Sequence, residues 1–85
     1  MSYRVELLPA ARRQLRKLPP KAQKQVIELI DALSEHPRPP GTKALKGDLK
    51  GFYRARSGNY RVIYAIKDDI LIVLIVKIAD RRESY

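Results

Sequence analysis

Residues 50–64 read KGFYRARSGNYRVIY, and this stretch decides the fold. Gly58-Asn59 interrupts two runs of strand-forming residues, the pattern of two strands joined by a two-residue hairpin loop. That turn puts Ser57 opposite Tyr60 and Arg56 opposite Arg61. Strand side chains alternate between faces, so Arg54 and Arg56 point the same way. In this register Arg61 joins them, while Tyr60, Val62, Tyr64 and Ile66 take the opposite face, which makes Tyr64 a core residue. Three guanidinium groups on one face repel each other, and folding gains nothing from that. A bound polyanion would explain them.

Working outward, strands are expected at about 50–57, 60–67 and 70–78, linked by Gly58-Asn59 and by Lys67-Asp68-Asp69. The last of them, ILIVLIVKI, is apolar on both faces, which marks an interior strand. Residues 3–8, YRVELL, form an opening strand that pairs beside it. Pro9 suits a first helical position, and Ala11, Leu15 and Leu18 recur at helical spacing. Pro19-Pro20 ends that helix and starts another over about 21–35, with Ala22, Val26, Leu29, Ile30 and Leu33 on one stripe. Pro37-Arg38-Pro39-Pro40-Gly41 is a loop. The expected fold is α+β: an N-terminal strand, then an antiparallel two-helix hairpin packed on one face of a small, mainly antiparallel four-stranded sheet, then a short basic tail. The arginines occupy the other face. Residues 1–85 read as one domain.

The chain has 85 residues, 18 Lys and Arg against 9 Asp and Glu, and no cysteine. The cysteine count removes disulfides, zinc ribbons and thiol nucleophiles from consideration. Neither a signal peptide nor a membrane span is legible, so a cytoplasmic protein without membrane association is expected. A formal net charge of +9 favours nucleic acid, an anionic membrane or an acidic protein as partner. From Lys43 to Arg61 there are six basic residues and only Asp48 opposing them. In the helical region Lys and Arg read as interleaved with Glu28, Asp31 and Glu35.

Arginine keeps its proton near neutral pH, so Arg54, Arg56 and Arg61 cannot act as bases. They can hold phosphate bidentately and stabilise charge developing on a phosphorane. Lys43, Lys46 and Lys50 lead into them. The tail, Ala79-Asp80-Arg81-Arg82-Glu83-Ser84-Tyr85, follows the interior strand and adds two arginines and a tyrosine. That tyrosine could stack on a base or exchange a proton, and equally the segment could be a solvated terminus. His36 is the only histidine, Asp68 and Asp69 read as turn residues, and no metal-ligand spacing or cofactor loop is present.

In order and spacing, LKGDLKGFYRARSGNYRVIYAI, an apolar strand and ADRRESY resemble the RelE/ParE toxin superfamily over nearly the whole chain. RelE-like members are messenger RNA interferases that cut codons in the ribosomal A site, and ParE-like members poison DNA gyrase. The resemblance implies the toxin of a type II toxin–antitoxin pair, a ribosome-dependent endoribonuclease that inhibits translation without metal or cofactor. It implies as partners mRNA, the ribosome and an acidic RelB-like antitoxin in a hetero-oligomer. By residue match, Arg61, Arg81 and Tyr85 take the catalytic roles, and Arg54, Arg56, Lys50 and Arg82 the substrate-binding ones. The chain departs from the best-known RelE pattern by carrying Arg54 and Arg56 in place of lysines. Asp80 stands where some relatives have histidine. A gyrase inhibitor without catalysis, or an inactive nucleic-acid-binding homologue, are the alternative readings.

Overall fold

In the computed structural model, residues 2–80 are described. The elements run β1 (Arg4–Leu7), α1 (Pro9–Lys17), α2 (Pro20–Glu35), β2 (Lys43–Ala44), a 3-10 turn (Gly47–Leu49), β3 (Phe52–Ser57), β4 (Tyr60–Lys67) and β5 (Ile72–Asp80). The strands form one sheet in the order β1-β5-β4-β3-β2, with β1 parallel to β5 and the remaining pairs antiparallel. Five strands stand where four were expected. The addition is β2, whose two residues, both exposed, pair with Arg54 and Tyr53. Two residues give neither alternation nor a propensity signal, and the strand exists only because the chain runs beside β3.

Both helices begin with proline at or next to their first helical position and lack a side-chain cap. Their junction is held instead by Gln23, whose amide donates to the carbonyls of Arg16 (3.1 Å) and Leu18 (2.9 Å), two groups that helix geometry leaves without partners. Ala11 from α1 and Ala22, Val26, Ile30 and Leu33 from α2 are buried. Ala11, Val26, Ile30 and Leu33 form the core together with Ala55, Val62, Tyr64, Val73, Ile75 and Ile78 of the sheet. Each large member contributes roughly 1.5–3 kcal/mol on leaving water.

β5 lies between β1 and β4, as its apolar composition predicts, but its alternation is broken. Ile63 pairs with Lys77 and Tyr64 with Ile75, so Val76 is an extra residue in β5. This bulge lets Ile78, Ile75 and Val73 all face the helices. Strict alternation would have turned either Ile78 or the Ile75–Val73 pair away. β5 also starts later than expected. Asp68–Leu71 form a four-residue turn that leaves Ile70 and Leu71 exposed, with Leu71 at φ 54. Two apolar residues beside a strand read as strand by composition alone.

Candidate nucleic-acid interface

The β3–β4 hairpin carries the site, and its register follows from the turn. Ser57 pairs with Tyr60 and Arg56 with Arg61 around Gly58-Asn59. Gly58 has φ +58, whereas Asn59 does not take a positive φ, the pattern of a type II′ turn with glycine at its first central position. Facing residues on paired strands share a side of the sheet. Lys43, Arg54, Ile63 and Lys77 therefore form one row across β2, β3, β4 and β5, with Arg56, Arg61 and Ala79 forming the next. Adjacent strands lie about 4.8 Å apart, so five cationic side chains project from two neighbouring rows.

Their settings differ. Arg56 and Lys43 are exposed, while Arg54, Arg61 and Lys77 are half-buried around a floor of buried Ile63 and Ala79. The floor is apolar and the rim is cationic. Such a surface can hold a phosphate backbone by charge and bidentate hydrogen bonds, while the apolar floor limits competing water. No backbone distortion is needed to gather the arginines.

Of the residues expected from sequence, Arg54, Arg56 and Arg61 share this face. Lys50 does not belong to the rows; it follows the 3-10 turn ahead of β3. The lysine opposite Arg54 is Lys43. Lys77 was not anticipated, although a single charge in an otherwise apolar strand was a usable signal once the bulge set its side. Arg81, Arg82 and Tyr85 lie outside the described residues. Among the described residues no group of three or more His, Cys, Asp or Glu could hold a metal ion.

A second cluster lies at the far end of the hairpin, on the helix side. Asp68 accepts from the Tyr3 hydroxyl (2.6 Å) and pairs with Arg38 (2.9 Å). The Arg38 guanidinium stacks 5.4 Å from the centroid of Tyr53, whose ring meets Tyr64 at 5.9 Å. Tyr64 is fully buried, and its hydroxyl donates to the Pro37 carbonyl at 2.6 Å. The Arg38 hydrogen bond, then that of Tyr3, holds the Asp68 carboxyl below its ordinary range, and burial pushes the Tyr64 phenol up. This cluster fastens the proline loop to the sheet, so Asp68 is a tether as well as a turn residue. Its partners lie 30 and 65 residues away in sequence, which local pattern cannot show.

The family model for the ParE toxin of type II toxin-antitoxin systems, parDE, matches residues 5–85. The chain belongs to the RelE/ParE toxin superfamily. Within that superfamily it is similar to Toxin RelG of Mycobacterium tuberculosis, at 38% identity over 86 residues covering 100% of this chain and 98% of that protein. Toxin RelE of the same organism is 40% identical over 84 residues, covering 98% and 86%. The toxin–antitoxin complex RelBE2 of M. tuberculosis matches with a TM-score of 0.87 and 36% identity over 95% of this chain and all of that one. The archaeal RelE-RelB complex from Pyrococcus horikoshii OT3 gives 0.82 and 31%, covering 99% and 100%. Isolated E. coli RelE, at 22% identity and a TM-score of 0.83 over 98% of this chain and 88% of that one, shares the fold.

Proposed function

We propose that this chain is the toxin of a toxin–antitoxin pair and acts as a ribosome-dependent endoribonuclease on mRNA in the A site. The observation that supports this best is the pairing of Arg56 with Arg61 beside Arg54 on the sheet face turned away from the helices. The reaction is a transesterification within the RNA. The 2′-hydroxyl oxygen bonds to the adjacent phosphorus and gives up its proton. The bond from phosphorus to the 5′-oxygen breaks, and that oxygen takes a proton, leaving a 2′,3′-cyclic phosphate and a 5′-hydroxyl. Arg54 and Arg56 hold the substrate backbone, and Arg61 stabilises charge on the phosphorane. By family resemblance Arg81 serves near the leaving oxygen, and Tyr85 stacks on a base or accepts the 2′ proton. Arginine is a positioner here and not a proton carrier. An ordinary tyrosine, with pKa ~10, needs neighbouring cations to act as a base near neutrality. The catalytic gain would come chiefly from alignment and electrostatics.

An acidic RelB-like antitoxin is the expected inhibitor. A segment that folds on binding could neutralise the cationic face, and two of the similar structures are complexes of RelE-type toxins with RelB-type antitoxins. Primer extension on programmed ribosomes tests the enzymatic reading: a message left intact in the A site by the purified, antitoxin-free protein would refute it. Because the matching family model is that of ParE toxins, gyrase inhibition without catalysis is the second reading. Loss of gyrase supercoiling on adding the protein would favour it.

A further inference from the structure

Between α2 and the open edge of β3 lies a cleft of about 380 Å³, within the size range of ligand sites. α2 contributes Leu29 and Ala32, the proline loop Pro39 and Pro40, and β3 Ala55 and Arg56. The cleft exists because β2 stops early. Its two residues cover Tyr53 and Arg54, so from Ala55 onward this edge of β3 has no strand beside it among the described residues. Arg56 therefore belongs to two places. It pairs with Arg61 in the cationic rows, and it borders the cleft.

Helical spacing gives the cleft a direction. Gln25, Leu29 and Ala32 stand at i, i+4 and i+7, one stripe along α2. Gln25 begins the stripe at the hairpin tip, where its amide lies against Gly58, between Arg56 and Arg61 in the chain. This half-buried amide makes no hydrogen bond among the described residues. On one flank of the stripe are the buried Val26, Ile30 and Leu33, and on the other the exposed Glu28, Asp31 and Glu35. These acids all follow Lys21 and Lys24, so the charges of α2 are segregated and not interleaved. A phosphate is repelled from the acidic flank and drawn to Arg56. Charge thus favours a ligand whose uncharged part enters the cleft while its anionic part stays over the arginines.

A nucleotide has this shape. Holding its phosphate on Arg54, Arg56 and Arg61 leaves the base to be placed. Neither cationic row contains an aromatic ring to stack it, since the remaining members are Lys43, Ile63, Lys77 and Ala79. Proteins read single-stranded RNA by splaying a base out against flat groups, guanidinium planes included, and by hydrogen bonds to its edge. Arg56 and the proline-lined wall offer the first, and the Gln25 amide, a donor and an acceptor together, offers the second. From this placement we infer that the cleft beside Arg56 is a subsite for one nucleobase of the message, with Gln25 reading its edge. The inference rests on the RNA reading above.

The test uses ribosomes programmed with messages that vary the A-site codon and its neighbours one position at a time, with cleavage read by primer extension. Ala32→Leu fills the cleft from an exposed helical position that tolerates leucine. Gln25→Leu keeps side-chain bulk and removes the polar edge. Each variant should lose the wild-type base preference at one message position, by about tenfold or more in relative cleavage, the scale of one bidentate base contact. The poorer messages should be cut as before, with circular dichroism unchanged. If Ala32→Leu does not fold, Gln25→Leu decides alone.

An equal fall at every message would mean a structural role, and unchanged discrimination would show that no base enters the cleft; either overturns the inference. So does a wild type that cuts without preference at any position. Loss of antitoxin binding by Ala32→Leu with discrimination kept would reassign the cleft to a protein partner and overturn it too. In all these outcomes the wild type still cuts, and the reading beneath stands. A wild type that leaves every message intact removes that reading itself.

Discussion

Gly58→Ala tests the feature on which the arginine face depends. Gly58 sits at φ +58, where an L side chain is strained, and an added Cβ would collide with the Gln25 amide nitrogen. The two costs separate physically. Left-handed backbone at a non-glycine residue costs about 1–2 kcal/mol. The steric part is smaller, because the clashing atom is the end of a flexible side chain that can swing away. Gly58→Ala should therefore destabilise by about 1–2 kcal/mol, which lowers Tm by roughly 4–16 °C for a domain of this size. Denaturant unfolding of Gly58→Ala, Gln25→Ala and the double variant closes a thermodynamic cycle. The cost of Gly58→Ala should persist largely undiminished in the Gln25→Ala background. If removing Gln25 abolished it, or if the single variant cost less than about 0.5 kcal/mol, the turn would not be fixed by backbone conformation. The argument for the register of Arg61 would then fail.

Tyr64→Phe strands the buried-side carbonyl of Pro37 and should cost about 1–3 kcal/mol in urea unfolding. Because burial raises the Tyr64 pKa, its neutral form stabilises the fold below the ordinary tyrosine range. That stabilisation fades as pH rises through the shifted value, and the variant should lose this part of the alkaline decline. Asp68 has the opposite sign. Its folded pKa lies below the ordinary 3.8, so its contribution is present above that value and is lost as pH falls through the lower one. Asp68→Asn should flatten the acid limb of an unfolding series between pH 2 and 6. Leu33→Ala, at a fully buried site, should cost about 2–5 kcal/mol by calorimetry, enough to leave a domain this small partly unfolded. Arg61→Ala and Tyr85→Ala should each suppress A-site cleavage in primer extension while antitoxin binding persists.

The parts of the fold visible in the sequence are those with local causes. The Gly58-Asn59 turn fixed a register that a one-residue slip would have inverted, and Pro9 and Pro19-Pro20 marked the helix starts. The parts that were hidden arise from tertiary contact. β2 is a strand only because Arg54 and Tyr53 lie beside it. Val76 becomes a bulge only once Ile78, Ile75 and Val73 must all face the helices. Asp68 looks like any turn aspartate until Arg38 and Tyr3 reach it from distant segments. The same division holds at the site. Arg54, Arg56 and Arg61 were legible because alternation and one turn place them, whereas Lys77 depended on the bulge and Lys43 on β2.

The parallel pairing of β1 with β5 has a consequence for when the chain can fold. Arg4–Leu7 find their partners at Ile72–Ile75, so the first strand made waits for nearly the last. Closing so large a loop carries an entropic cost that nearby contacts cannot offset early. Until Ile72–Ile78 leave the ribosome, α1 and α2 lack Val73, Ile75 and Ile78, the interior wall of their core. The β3–β4 hairpin can form beforehand, but without that wall it remains a marginal two-stranded element. The arginine face therefore becomes a fixed surface only once β5 has emerged, and a chain cut short before β5 should not present it.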